Sequence, residues 1–357
     1  MKITDITHKT VTVPLLFPFK TALRTVKQIE NVLVTVATDD GHCGYGGAAP
    51  TAVITGDTLA SIRGGIEHIR DNIIGMDIAS AEDLFQKLNR CLIGNMSAKA
   101  AVDMAIYDLL AKAQAVPLYR FLGGTVKSLE TDITISLDTP EKMAADSLEK
   151  VARGFTYLKI KVGNNPELDI QRLQAIHGEV GDQVKIRIDA NQGWTPKEAV
   201  LVGNALADRG INIELLEQPV AARDFSGLRF VREQLSVPVV ADESVFSPQD
   251  ALDLVQMGAA DGFNIKLMKC GGIYNAIKIA AIADAAGIPC MVGSMMESHL
   301  SVGAAAHFAA SRSIVTRFDL DAPLFCSANP AVGGIFYQGS KVCFTDTPGL
   351  GVESLHN

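Results

Sequence analysis

Residues 2–13 alternate between apolar and polar positions, and so does the run from Asn31 to Thr38 (NVLVTVAT). A period of two places alternate side chains on opposite faces of a strand. Asp39-Asp40-Gly41-His42 reads as a turn, and Gly44-Tyr45-Gly46 follows it, so a small antiparallel sheet is expected. The period then becomes helical over residues 57–77 and 80–94. Asn95 to Ala115 is rich in alanine and other helix formers, with Ser97 as the start signal and Pro117 beyond the end.

From about residue 125 the pattern becomes regular. Eight strand-like runs recur: TDITISL (131–137), YLKIKV (157–162), VKIRID (184–189), INIELLE (211–217), VPVVAD (237–242), DGFNIK (261–266), IPCMVGS (288–294) and IVTRFDLD (314–321). Amphipathic helical stretches separate them, such as Pro166 to Val180 and Gly272 to Ala286. Strands alternating with helices imply parallel strands joined by right-handed crossovers. Eight units in succession fit a TIM-type barrel better than an open sheet. The expected layout is an α+β capping domain over residues 1–124, a barrel over 125–322, and a Gly- and Pro-rich segment over 323–357 that completes the cap.

Composition narrows the partners. A net charge of −8 disfavours nucleic acid and anionic membrane surfaces, which select a basic face. No window has the 18 or so uninterrupted apolar residues of a membrane span. The N-terminus lacks a signal-peptide core, so a cytoplasmic protein is expected. Its six cysteines are scattered without a CxxC pair and read as reduced, mostly buried residues.

The strand ends carry the chemistry. In a barrel of this kind the C-terminal ends of different strands converge on one mouth. Asp189, Glu217 and Asp242 end three neighbouring strands, one strand–helix unit apart. Three hard carboxylates suit Mg²⁺, with open positions left for substrate, whereas a zinc hydrolase calls for histidines. Lys159 and Lys161 lie two apart and so face the same side, which the apolar Leu158, Ile160 and Val162 place inside the barrel. Lys266 ends the strand four units on, across the mouth. A lysine crowded by another cation is expected to have a lowered pKa, so Lys159 would tune Lys161. A base on each side of a carbon acid permits proton removal from one face and return on the other, which is racemisation or epimerisation. Asp319 and Asp321, also two apart, add negative charge beside the metal triad. Arg24 in the cap suits bidentate capture of a second carboxylate. His299 and Trp194 are expected to pack rather than react.

The stretches LKIKVG (158–163), IDANQGW (188–194), EQP (217–219), ADES (241–244), NIKLMKCGG (264–272) and MVGSMMES (291–298) together resemble the enolase superfamily, in its muconate-lactonizing-enzyme-like group. The resemblance covers essentially the whole chain. It implies a modified TIM barrel, (β/α)₇β, with an α+β capping domain, and Mg²⁺-assisted proton abstraction next to a carboxylate. It also implies one Mg²⁺ per subunit on Asp189, Glu217 and Asp242, acid/base roles for Lys161 and Lys266, and a homo-oligomer. Within that group the chain is similar to the dipeptide epimerases, through RFDLDAPLF (317–325) and PFKTALRTV (18–26). By that resemblance Asp319 and Asp321 bind the free ammonium of a dipeptide, Arg24 pairs with a glutamate side chain, and Thr134, Lys159 and Ser294 also contact substrate. The implied reaction is epimerisation of L-Ala-D/L-Glu, a peptidoglycan-derived dipeptide. Hydrophobic or cationic dipeptides remain alternatives, as do an N-acylamino-acid racemase, an o-succinylbenzoate synthase, a cycloisomerase and a non-catalytic scaffold.

Overall fold

The computed structural model describes residues 1–125 and 128–356. Residues 126–127, beside the boundary expected near residue 125, and residue 357 lie outside the described residues. The chain opens with three antiparallel strands, β1 (Ile3–Lys20), β2 (Thr25–Thr38) and β3 (Cys43–Ala48), in that order. Helices α1 (Leu59–Ile73), α2 (Ala81–Arg90) and α3 (Met96–Ala113) follow, then the short α4 (Leu118–Phe121) and strand β4 (Ser128–Glu130). Helix α3 is buried along almost its whole length and forms the centre of this unit. Gly44 and Gly46 let β3 lie directly on it: a Cβ at Gly46 would stand 1.9 Å from the Ala101 carbonyl oxygen, and one at Gly44 2.0 Å from that of Ala105.

The helix start differs from the expected one. Ser97 lies inside the first turn, and Asn95 precedes it in the left-handed region at φ 50° with no side-chain cap. The cap comes from elsewhere: the Asp57 carboxylate accepts the Ser97 N–H at 3.0 Å. The orphan N–H of a helix start needs an acceptor, but nothing requires it to be local.

The eight strand-like runs all form strands of one sheet: β5 (Ile133–Ile135), β6 (Tyr157–Lys161), β7 (Lys185–Asp189), β8 (Ile213–Glu217), β9 (Val239–Ala241), β10 (Gly262–Ile265), β11 (Cys290–Gly293) and β12 (Val315–Asp319). Neighbours pair in parallel and in sequence order. The ends meet where Asp132 N–H donates to the Phe318 carbonyl at 3.1 Å and Leu320 N–H to the Thr131 hydroxyl at 2.9 Å. The fold is therefore a mixed α/β barrel with a capping unit.

The connecting helices are α5 (Pro140–Ala152), α6 (Pro166–Val180), α7 (Pro196–Asp208), α8 (Phe225–Gln234), α9 (Pro248–Met257), α10 (Leu267–Cys270), α11 (Ile273–Ala285) and α12 (His299–Ala309). Four of them begin with a capping residue followed by proline: Thr139-Pro140, Asn165-Pro166, Thr195-Pro196 and Ser247-Pro248. Each cap side chain accepts an N–H from the first turn, and proline costs nothing where no N–H is needed. These caps stop the loops above the strand ends from drifting.

The odd positions of β6 face the barrel interior, and Leu158 and Ile160 are buried under the helices. Inside, Leu215, Val240 and Met291 form a small apolar plug. After β12 the chain returns to the first unit through β13 (Ala331–Gly333), β14 (Phe336–Gln338), β15 (Lys341–Cys343) and β16 (Val352–Leu355). Strand β15 pairs with β4, and Leu350 N–H donates to Asp108 of α3 at 2.7 Å.

The cap packs on the barrel through a shared apolar core, which includes Phe85 stacked on Tyr274, and polar contacts fix its position. Asp103 of α3 accepts the N–H groups of Ile273 and Tyr274, at 2.5 and 3.3 Å, where α11 begins. Asn31 accepts the Ser298 N–H at 2.8 Å. The tip of the β1–β2 hairpin is tied down by Leu137 N–H to the Lys20 carbonyl at 3.0 Å and Lys20 N–H to Ser136 Oγ at 3.2 Å. That tip carries Arg24.

Candidate active site

Asp189, Glu217 and Asp242 stand at the ends of β7, β8 and β9, all completely buried. Four ammonium groups face them. Lys161 Nζ donates to Asp189 Oδ2 at 2.5 Å, and Lys159 Nζ lies 3.0 Å from the same oxygen. Lys159 also reaches Glu217 at 2.8 Å and donates to Asp319 at 2.7 Å. On the other side Lys266 donates to Asp242 Oδ2 at 2.7 Å. Lys269, a lysine to which the sequence reasoning gave no role, donates to both Asp242 Oδ1 and the Asp242 carbonyl, and to the Asn264 carbonyl at 2.9 Å. Lys161 and Lys266 thus contact opposite ends of the carboxylate row.

The Lys159 pKa is set by opposing effects. Burial does pull it down, but Asp189, Asp319 and Glu217 together outweigh that and hold the ammonium well above the usual lysine range.

The residues fit a hard divalent cation. The donor set contains only carboxylate and amide oxygens, without histidine or cysteine. Asn191 Oδ1 and Glu243 Oε2 are buried and accept no hydrogen bond, whereas Glu217 Oε2 already has the Lys159 ammonium 2.8 Å away. Such orphan acceptors are costly in a buried site unless something positive completes them. The remaining oxygens are pinned from outside: Asn264 Nδ2 donates to Glu217 Oε1 at 2.8 Å, and the Asn191 N–H donates to Asp189 Oδ1 at 3.0 Å.

The loops just above the strands hold strained backbone. Asn191, Gln192 and Gln218 have φ of 44°, 68° and 36°, in the left-handed region. Non-glycine residues there cost energy that the surroundings must offset. Gln218 shows how: its Oε1 accepts the N–H groups of Asp242 and Ser244, at 2.9 and 3.0 Å, and its Nε2 donates to Val220 O and Ser244 Oγ. The middle residue of the EQP stretch therefore orients Asp242 from the next strand.

A second acidic group lies beside the first. Asp132, Asp319 and Asp321 have carboxylate oxygens within 4.8 Å of one another. Arg187 holds Asp132 at 2.8 Å, Lys159 holds Asp319, and Asp321 accepts only the Thr134 N–H, at 2.6 Å. Burial and then the nearby Asp319 push the Asp321 carboxyl up to about 7. Asp321 thus lacks a cation of its own. Asp132 was missed in the sequence because the run TDITISL reads as an ordinary strand start.

Arg24 lines the same mouth with Thr21, Leu23, Ile54, Ser294 and Met296. Burial lowers its pKa, and no carboxylate lies within ion-pair distance of it among the described residues. Thr134 and Ser294 also line the mouth. His299 sits edge-on to Tyr337, and Trp194 donates to Asp169 at 3.1 Å, so both pack as expected. All six cysteines are free. A cavity of about 350 Å³ lies at the opposite end of the barrel, but its Arg232 and Arg317 are already paired with Asp261 and Glu214.

The fold and this site define a class: barrel enzymes whose strand ends bring buried lysines together with a row of carboxylates suited to a divalent metal. The chain belongs to the mandelate racemase/muconate lactonizing enzyme family. The N-terminal domain of that family matches residues 3–123, and an enolase C-terminal domain-like unit matches residues 142–356. The chain is 50% identical, over all of both chains, to an L-Ala-D/L-Glu epimerase of Clostridium acetobutylicum. It is similar to the substrate-liganded structure of the L-Ala-D/L-Glu epimerase of Bacillus subtilis, at 49% identity and a TM-score of 0.99 over 100% of both chains. It is also similar to a dipeptide epimerase of Enterococcus faecalis complexed with Mg and L-Leu-L-Tyr, at 42% identity and a TM-score of 0.96, over 99% of this chain and 100% of that one.

Proposed function

We propose that the protein is a Mg²⁺-dependent dipeptide epimerase that inverts the α-carbon of the C-terminal residue of L-Ala-D/L-Glu. The observation that carries this reading is the placing of Lys161 and Lys266 at the two ends of one buried carboxylate row. The identity of the two Ala-Glu epimerases above supports the substrate.

Asp189, Glu217 and Asp242 would hold the Mg²⁺. When bound, the ion supplies Lewis-acid stabilisation for the negative charge that develops on the substrate carboxylate as the α-proton leaves. Each turnover needs one lysine neutral and the other protonated. Lys161 Nζ takes the α-proton on one face and Lys266 Nζ delivers one on the other, and the reverse reaction exchanges their roles. Lys159 adds fixed positive charge beside the developing anion. Asp319 and Asp321 hold the N-terminal ammonium, which gives Asp321 the cation it lacks. Thr134 and Ser294 line the path of the backbone. Arg24 pairs with the γ-carboxylate of the glutamate residue, consistent with a half-buried guanidinium that has no internal counter-ion.

The dipeptide is a fragment of peptidoglycan, so the reading extends to a role in cell-wall recycling in the cytoplasm. No helix among the described residues is long and apolar enough to cross a membrane. The protein is expected to work as a homo-oligomer. The direct test follows the α-proton by ¹H NMR with L-Ala-L-Glu and Mg²⁺ in D₂O. Loss of the glutamate α-¹H signal with growth of the L-Ala-D-Glu resonances supports the reading. No exchange with any dipeptide would end it.

An N-acylamino-acid racemase would use the same lysines on a substrate without a free ammonium. The buried, uncompensated Asp321 disfavours it. Asp319→Asn should impair dipeptide turnover; improved turnover of N-acylamino acids with little loss on dipeptides would favour the racemase instead.

A further inference from the structure

The mouth has little free space, about 50 Å³, but a second cavity of about 250 Å³ lies directly beside it. Two residues line both spaces: Thr134 and Phe19. Thr134 is the residue whose N–H meets Asp321. The end of the mouth that holds the negative charge for an ammonium therefore abuts the second cavity, with Phe19 between them.

Phe19 is well placed to be a fixed partition. It is buried, and its ring packs edge-to-face on Phe325 with centroids 5.5 Å apart. Its neighbour Lys20 is hydrogen-bonded through both backbone groups to Ser136 and Leu137 of the barrel. The bonds of Lys20 fix the backbone that carries the ring, and the ring cannot swing aside without losing its packing on Phe325.

The lining of the second cavity says what it would accept. Phe17, Pro18, Phe19, Ile135 and Phe325 form an apolar wall. The charged residues at the rim pair among themselves: Lys20 with Asp138 at 2.5 Å, Lys150 with Glu149 at 3.1 Å, and Lys142 with Asp146. No net charge is left over to recruit an ionic group, so the matching occupant is a large apolar side chain.

We infer that Phe19 restricts the N-terminal residue of the dipeptide to alanine, and that the cavity behind it is a closed subsite for a large apolar N-terminal side chain. The inference rests on the dipeptide reading above. It makes one hairpin tip the reader of both residues: Phe19 limits the first and Arg24 selects the second, across a turn closed by Thr21 N–H to the Arg24 carbonyl at 2.9 Å.

The test compares wild type with Phe19→Ala and Phe19→Leu on L-Ala-L-Glu, L-Leu-L-Glu and L-Ala-L-Tyr, reading kcat/KM by α-proton exchange in D₂O. In Phe19→Ala the ratio of L-Leu-L-Glu to L-Ala-L-Glu should rise by at least about 10-fold, the scale of a few methylenes in an apolar pocket. Phe19→Leu should move it in the same direction by less, and it serves alone if the alanine variant does not fold. L-Ala-L-Tyr should gain nothing, because the inference assigns Phe19 to the N-terminal residue alone. An unchanged ratio in a folded variant overturns the inference, and so does an equal gain on L-Ala-L-Tyr, which would mean a general loosening of the mouth. Wild-type failure on L-Ala-L-Glu would instead strike the functional reading itself.

Discussion

Two buried lysines bracket the carboxylates, and each has its own anchor, Asp189 for Lys161 and Asp242 for Lys266. Removing either should therefore stop inversion without stopping exchange on the opposite face. Lys161→Ala and Lys266→Ala are each expected to lower epimerisation by roughly 10²–10⁴-fold, the usual worth of a general base. Each variant should still wash the α-proton of one enantiomer into D₂O, and the two should spare opposite enantiomers; loss of exchange from both isomers in both variants would contradict two independent bases. Arg24 makes a different prediction, because the role proposed for it is a contact with substrate remote from the reacting carbon. Arg24→Ala should cost about 2–5 kcal/mol in kcat/KM for L-Ala-L-Glu, the cost of leaving a desolvated carboxylate unpaired. Steady-state kinetics with L-Ala-L-Gln, which lacks that carboxylate, should show a much smaller loss. At this scale the sequence revealed residues whose chemistry is visible in one strand end. It hid Lys269, Gln218 and Asp132, because each acts on a residue from another strand, and only the closed barrel brings them together. The Lys269 signal was present in KLMK, three residues past Lys266, but a second lysine one helical turn on reads equally as a solvated surface residue.

Strands and helices were legible wherever burial on one face imposed a period. All eight barrel strands sit inside the strand-like runs marked in the sequence, because a barrel strand must show one face to the helices and one to the interior. Boundaries set by distant partners were not legible. Helix α3 is capped by Asp57, far back in the chain, so Ser97 gave a false start signal. The three-residue β4 exists only through its pairing with β15, near the other end of the chain. The contact between β3 and α3 yields a prediction at this scale. With carbonyl oxygens under both Gly44 and Gly46, no side chain can enter without separating strand from helix. Gly46→Ala should destabilise the protein by about 1–3 kcal/mol or more, as overpacking does. Urea unfolding would measure it, and a midpoint within error of wild type would show that the strand can lift off at little cost. The same change should weaken substrate binding less than it weakens the fold, since β3 is not part of the mouth.

The whole molecule has to keep a dense charge cluster buried, and the arithmetic of that cluster decides how it behaves without metal. Asp189, Glu217, Asp242 and Asp319 are four carboxylates, and Lys159, Lys161, Lys266 and Lys269 are four ammonium groups within ion-pair distance of them. Buried charges are tolerated when paired and strongly destabilising when left alone. The lysines alone can therefore neutralise these four acids, leaving Glu243 and Asp321 of the same buried cluster without a cation, so the fold should tolerate the loss of Mg²⁺ better than a small zinc domain tolerates the loss of its metal. Lys161 and Lys266, however, cannot act as the proposed bases while they are bound to Asp189 and Asp242. Chelation with EDTA should accordingly abolish epimerisation while leaving the far-UV circular dichroism and a cooperative unfolding transition in place. Restoring Mg²⁺ to about 100 times its dissociation constant should add about 2.7 kcal/mol to stability, the linkage expected for a ligand that binds only the folded state. If the chelated protein lost its cooperative transition, the lysines would not be sufficient counter-ions. If it kept full activity, the carboxylate row would not be a metal site at all. Lys269→Met separates the two roles of the cluster, since Lys269 touches Asp242 without lining the mouth. It should destabilise the metal-free protein more than the Mg²⁺-loaded one, because the ion takes over part of the neutralisation of Asp242 that the missing ammonium supplied.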